Sequence, residues 1–171
     1  MRITNSSKAD IGSLFEIYDL ASAYKLEVGN KGWKGFEVAQ VEKEIQEGRH
    51  YTIWEGMDIA CTFVVTYEDE AIWHERGKDS AIYLHRIATN PRYRGGAYVK
   101  KILAWVKDLA TSQRLHFVRL DTHSGNDKLN RYYEECGFEF RGISHIVWKE
   151  GMSEHYKEGS FSLFEVVITG S

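Results

Sequence analysis

The stretch Arg92-Tyr93-Arg94-Gly95-Gly96-Ala97-Tyr98-Val99-Lys100-Lys101 combines paired glycines, positive charge and the start of an apolar-periodic segment. Five basic residues and no acidic one lie between Arg92 and Lys107, and Asp108 is the first carboxylate. A helix N-terminus carries partial positive charge and favours acidic residues in its first turn. The local electrostatics are therefore poor unless an anion arrives from outside. Glycines let the backbone approach a ligand, and the unpaired N–H groups of a first helical turn can then point at it. Together these features describe a phosphate cradle. A glycine turn beside solvated lysines is the plainer alternative, and the stretch alone does not separate the two.

Other reactive residue types are sparse in pattern. The seven His form no H-x-x-x-H or H-E-x-x-H pattern, so no structural or catalytic metal is expected. Cys61 and Cys136 have no C-x-x-C spacing, which fits a reduced, cytoplasmic chain. Cys61 sits in an apolar run and reads as core, and Cys136 at a helix end reads as packing rather than as a nucleophile. The P-loop pattern G-x-x-x-x-G-K-[ST] and the longer dinucleotide fingerprint are both missing.

The elements that would position these residues follow from periodicity. Arg2–Thr4 reads as a short strand, followed by a helix capped by Asp10 with Ile11, Leu14, Phe15, Tyr18 and Ala21 at helical spacing. A glycine loop around Trp33 leads to a helix over Glu37–Glu47, stopped by Gly48. HYTIWE and IACTFVVTY read as strands joined at Glu55-Gly56. A polar, Trp-bearing stretch over Glu68–Ser80 precedes a strand over Ala81–Thr89 that ends before Asn90-Pro91. The helix after the glycines places Val99, Ile102, Leu103, Val106, Leu109 and Ala110 on one face. A strand over Phe117–Asp121, a helix over Asn126–Cys136 and strands over Phe138–Trp148 and Phe161–Ile168 complete the chain. The order is α/β of the α+β type, built on a single mixed sheet. The short central strand–helix–strand unit predicts a parallel pair at its ends.

The chain has 171 residues and nothing resembling a linker, so a single domain over 1–171 is expected. Net charge is −3, which gives no global electrostatic case for nucleic acid or membrane partners. Neither an apolar leader nor a run of membrane-spanning length is present. The aromatic share of 13% points to a large core or an aromatic-lined cleft.

Two blocks resemble the GNAT superfamily of acyl-CoA-dependent N-acyltransferases. Arg92-Tyr93-Arg94-Gly95-Gly96-Ala97 is similar to its Q/R-x-x-G-x-G/A signature, and Tyr133, Gly137 and Phe138 match a second block, Tyr-x-x-x-Gly-Phe, preceded by Asn126. The resemblance implies a largely antiparallel sheet whose central parallel pair splays around the cofactor, with helices on both faces. It implies acetyl-CoA as co-substrate, its pyrophosphate held by Arg92, Arg94, Gly95, Gly96, Ala97, Tyr98 and Val99. The pantetheine arm would pair with Ile87, Ala88 and Thr89 like an added strand, and Asn126 would hydrogen-bond it.

Acyl transfer to an amine requires removal of a proton, a donor for the oxyanion and a proton for the departing thiolate. The family match assigns the last role to Tyr133, a phenol that is protonated at neutral pH, although a core-facing Tyr is the alternative. The oxyanion donor would be a main-chain N–H near Ala88. Many relatives carry a Glu base on the fourth strand; here AIYLHRIAT has none, leaving His85 and Arg86 as its polar members. By period-two alternation His85 shares a face with Ile87 and Thr89, and it is the candidate base, with a structural His as the alternative. Asp121 could orient a cationic amine or cap a turn. Glu68, Asp69 and Glu70 could reach the acceptor but read by default as a solvated loop.

The walls of the acceptor site in this family would be Trp33, Phe36 and Gly29–Gly35 on one side and His145, Trp148, His155 and Tyr156 on the other. The expected activity is acetyl transfer by direct attack, in a ternary complex, of a primary amine of a small molecule or peptide. The alternative is a silent acyl-CoA-binding sensor of the same fold, motivated by the missing Glu. Family members often form homodimers, which the sequence leaves open.

Overall fold

A computed structural model of the chain describes residues 1–29, 32–33, 35–146, 148–152 and 159–169. The elements are β1 (Arg2–Asn5), α1 (Ile11–Glu27), α2 (Val38–Gln46), β2 (His50–Glu55), β3 (Asp58–Thr66), α3 (Glu70–Trp73), β4 (Ala81–Thr89), α4 (Tyr98–Ser112), β5 (Phe117–His123), α5 (Asp127–Cys136), β6 (Glu139–His145) and β7 (Ser160–Val167). The strands form one mixed sheet in the order β1-β2-β3-β4-β5-β7-β6. The expected parallel pair is present: Ala81 to Leu84 pair with Phe117 to Leu120. That register covers four residues, whereas β4 runs on to Thr89 and β5 to His123.

The chain divides into two compact units, Met1–Val65 with Arg86–Tyr98, and Thr66–His85 with Val99–Ser171. The division falls inside β4, where Arg86 has φ +48°. A bulky residue with positive φ interrupts extended backbone and is a local irregularity in any strand. The alternation that places His85 on one face with Ile87 and Thr89 therefore does not carry across Arg86, and that expectation is corrected.

In the first unit, β1 and β3 flank β2 antiparallel. Leu14, Ile17, Tyr18 and Ala21 of α1 and Val41 of α2 form a core with Ile59 and Ala88. Their i, i+3, i+4, i+7 spacing is what directs α1 inward. Asp10 holds the N-cap position of α1, as expected, but its side chain makes no cap bond to that helix. Ser7 opens a 3-10 turn over Lys8–Asp10, and its N–H donates to the Asp10 carboxylate at 2.8 Å. The Asp10 carboxylate thus also serves as the third residue of a capping box opened by Ser7.

Beneath this core runs a buried polar chain. The Ser6 hydroxyl bonds Nδ1 of His50 (2.7 Å), His50 Nε2 bonds the Tyr18 hydroxyl (2.6 Å), and Arg86 grips both oxygens of Glu44 at 2.8 and 3.0 Å. The Arg86 guanidinium also lies 4.3 Å from the Phe36 ring centroid. Burial, with Arg86 second, holds the His50 pKa down at about 4.

In the second unit, β7 pairs antiparallel with both β5 and β6. Thr122 and His123 pair with Ser162 and Phe161, which extends β5 two residues past its expected end. β6 stops at His145 rather than Trp148. Ile72, Trp73, Ala81, Tyr83, Phe161 and Leu163 form this unit's core. Arg119 crosses it fully buried, bonded to Glu165, Asp79 and the Tyr83 hydroxyl at 2.8, 2.8 and 2.9 Å. Among the described residues no helix is long and apolar enough to cross a membrane.

Candidate active site

The glycine loop is anchored at its start by Asn90. Its side chain donates to Ile59 O (2.9 Å) and accepts from Arg92 N–H (3.1 Å), while its own N–H donates to Ala60 O (2.8 Å). Pro91 fits the first position of the 3-10 turn that follows, where no N–H is needed. Gly95 has φ +87° and Ala97 φ +55°, flanking Gly96. Such alternation of handedness turns successive N–H groups toward one side and makes an anion-binding concavity. A Cβ on Gly96 would lie 2.5 Å from the Tyr98 ring and 3.1 Å from Tyr93 O, so the close approach requires glycine. No acidic residue occupies the first turn of α4.

Arg92 and Arg94 are exposed. Arg92 lies 3.5 Å from Asp58, and Arg94 stacks on the Tyr24 ring, 3.2 Å from its centroid. Tyr98 and Val99 have buried side chains, and the Tyr98 hydroxyl donates to Glu55 at 3.1 Å. What these two offer a ligand is main chain. Ala88 is buried in the core, while Ile87 and Thr89 are half-buried. Trp33 packs edge-on against Tyr18 and Phe36, with Lys25 4.8 Å from its ring centroid.

In the second unit, His85 and Asp121 come together, joined by Asp69. One donor atom from each lies within 4.8 Å of the other two. The solvated-loop reading of Asp69 is corrected: its side chain is 8% exposed. It caps α3 through Oδ1, which accepts from Ile72 N–H at 3.4 Å. Gly77 holds it in place. Asp69 N–H donates to Gly77 O (3.2 Å), and a Cβ on Gly77 would lie 2.5 Å from Asp69 O. His85 Nε2 lies 3.0 Å from the Thr66 hydroxyl and 3.6 Å from Asp69 Oδ2. Burial pushes the Asp69 and Asp121 carboxyls above their ordinary range, and the Asp69 charge adds to the rise at Asp121.

Tyr133 packs against Phe138 and Phe164. Burial, then the charges of Tyr132 and Asp121, raise its hydroxyl well above an ordinary phenol. It is a firmly protonated donor at neutral pH. Asn126 caps α5, its side-chain oxygen accepting from Leu129 N–H at 3.0 Å. His145 is exposed at the end of β6, 3.0 Å from the Ser160 hydroxyl. His155 and Tyr156 lie outside the described residues. Sequence reasoning gave no role to Arg86 and read Asp69 as solvated. An Asp directly before the short helical run Glu-Ala-Ile-Trp was the available signal for a cap.

Comparison with known proteins gives this geometry a context. The chain is 25% identical over 138 residues, 74% of its length, to the uncharacterized N-acetyltransferase YesJ of Bacillus subtilis, covering 77% of that protein. It superposes on a GNAT-family acetyltransferase from Listeria monocytogenes with a TM-score of 0.77 at 23% identity, covering 97% of this chain and 94% of that one. It also superposes on the Salmonella typhimurium putative acetyltransferase YncA, solved with its cofactor acetyl-CoA, with a TM-score of 0.67 at 15% identity, covering 99% and 95% of the two chains. Residues 15–138 match the family described as acetyltransferase (GNAT), which is most of the chain, and the protein belongs to that family.

Proposed function

We propose that the protein transfers the acetyl group of acetyl-CoA to a primary amine of a small molecule or peptide, by direct attack in a ternary complex. The observation that carries this reading is the loop Arg92–Ala97. Its left-handed residues at Gly95 and Ala97 precede a helix with no acid in its first turn, in a chain of the GNAT family. Main-chain N–H groups there would hold the pyrophosphate, with Arg92 and Arg94 adding charge. Arg94 need not give up its Tyr24 stack to do so, because a stacked guanidinium keeps its in-plane donors. Ile87, Ala88 and Thr89 would pair with the pantetheine arm, and Asn126 would contact it through the side-chain amide.

Tyr133 would donate to the departing thiolate, and its raised pKa keeps the hydroxyl protonated until that thiolate forms. The two free cysteines fit work in the reducing cytoplasm. Little covalent catalysis is needed, so holding both substrates can supply much of the rate. The test is release of CoA thiol from acetyl-CoA over a panel of amines, polyamines, aminoglycosides, amino acids and short peptides. Turnover supports the reading. Saturable acetyl-CoA binding without turnover on any amine would favour a sensor of the same fold.

A further inference from the structure

The geometry points to Asp69 and Asp121 as a carboxylate pair that docks the acceptor as an ammonium ion and takes its proton, with His85 as the residue that positions the pair. This rests on the acetyltransferase reading and names the base and the charge state of the substrate. All the residues involved lie in one compact unit, Thr66–His85 with Val99–Ser171.

Asp69 Oδ2 is buried and accepts no hydrogen bond. Its nearest recorded partner is His85 Nε2 at 3.6 Å, too long for a hydrogen bond. A buried carboxylate oxygen left without a donor is costly and calls for one. One side-chain N or O atom each of Asp69, His85 and Asp121 lies within 4.8 Å of the other two. Among the described residues neither carboxylate is paired with Arg or Lys. Arg119 is taken up by Asp79, Glu165 and Tyr83, and Glu70 is paired with Lys78. The other titratable groups around the pair are Tyr83 on β4 and Tyr133 on α5.

Burial raises both carboxyls and the charge of Asp69 adds to the rise at Asp121, which favours a pair that shares one proton and carries one negative charge. A primary ammonium supplies what is missing, one positive charge and up to three N–H donors, one of them for Asp69 Oδ2. The ammonium then gives one proton to the pair. Both partners become neutral, a change that a desolvated site favours over a buried ion pair. The freed amine lone pair forms the C–N bond, and the carbonyl C–S bond breaks to leave CoA thiolate. Tyr133 gives that thiolate its proton and recovers one from the acylated nitrogen. The pair returns its proton to solvent, so the sum is ammonium plus acetyl-CoA giving amide, CoA thiol and one proton.

The test uses Asp69→Asn, which keeps an α3 cap, Asp121→Asn and His85→Gln. Tyramine, spermidine and alanyl-alanine amide are the probe acceptors, assayed as kcat/KM against pH. Each Asn variant should lower kcat/KM by roughly 100-fold or more and remove the acidic limb, with acetyl-CoA affinity within about twofold of wild type. His85→Gln should shift the midpoint of that limb and lose less rate. Unchanged rates and pH profiles in the Asn variants would overturn the inference and leave the acetyltransferase reading standing.

Should none of the three probes turn over, the free protein is titrated instead, with 13C at its Asp carboxyls. A carboxyl signal that titrates above about pH 6 in wild type and is lost in both Asn variants supports the pair; ordinary, independent titration near pH 4 overturns it. Failure of acetyl-CoA to bind the wild type would instead sink the reading beneath it. Tight stoichiometric Zn2+ uptake that depends on all three residues would assign the cluster to an ion and overturn the amine role.

Discussion

At the scale of single residues, two titrations pull stability in opposite directions. His50 is buried and neutral, with its pKa held near 4 by burial and by Arg86. Between about pH 6.5 and 4 the unfolded chain binds a proton that the folded His50 refuses, so stability drains as pH falls through that window. The loss should be about 3 kcal/mol. Asp69 behaves in reverse. Its folded pKa is raised, so the folded state binds the extra proton between about pH 4 and 6, and stability falls as pH rises through that range. Denaturant melts across pH should therefore separate them by variant. His50→Gln flattens the acid-side loss, and Asp69→Asn gains ~1–3 kcal/mol at pH 8. A wild-type slope left unchanged by His50→Gln would mean that His50 is not the buried neutral base. At the same scale, Tyr133→Phe should lower kcat by about 10- to 100-fold with little change in acetyl-CoA affinity. Equal rates would return Tyr133 to a packing role beside Phe138 and Phe164.

At the scale of elements, the irregular turns do the positioning. Glu44 on α2 neutralises Arg86 at the positive-φ step of β4, with both side chains 8% exposed. Glu44→Ala would leave a buried guanidinium unpaired and should cost about 3–5 kcal/mol, read in urea melts. A cost within the range of a surface substitution would show that water reaches Arg86. In the glycine loop, Gly96→Val meets the Tyr98 ring and Tyr93 O, and should weaken acetyl-CoA binding. Ala97→Gly should relieve a left-handed strain of about 1 kcal/mol, raising stability without loss of affinity. These effects share a cause: the loop's shape, more than its charge, presents the N–H groups.

At the scale of the whole molecule, the order of strands and helices was legible because each carries a clean period. β4 and the parallel pair with β5 followed from the largely apolar stretch Ala81–Thr89 ending before Asn90-Pro91 and from a crossover helix with one apolar face. The glycine turn before α4 was legible from Gly95-Gly96 and from charge of the wrong sign at a helix start. The burial of Asp69 was not legible. Asp69 sits in an acidic stretch that composition reads as solvated, and only the turn through Gly77 buries it. The positive-φ step at Arg86 was hidden as well, since no glycine marks it and its partner Glu44 lies 42 residues away in sequence. Long-range pairing of polar groups leaves no periodic trace.

The most direct test of the central claim is a calorimetric titration of acetyl-CoA into wild-type protein and into the Arg94→Glu/Gly95→Val double variant. A saturable one-to-one heat for wild type and an affinity lower by roughly 100-fold, about 2.7 kcal/mol, for the variant is the expected result. No heat with wild type, or equal affinity in both proteins, would contradict the assignment of Arg92–Ala97 as the phosphate cradle of an acetyltransferase.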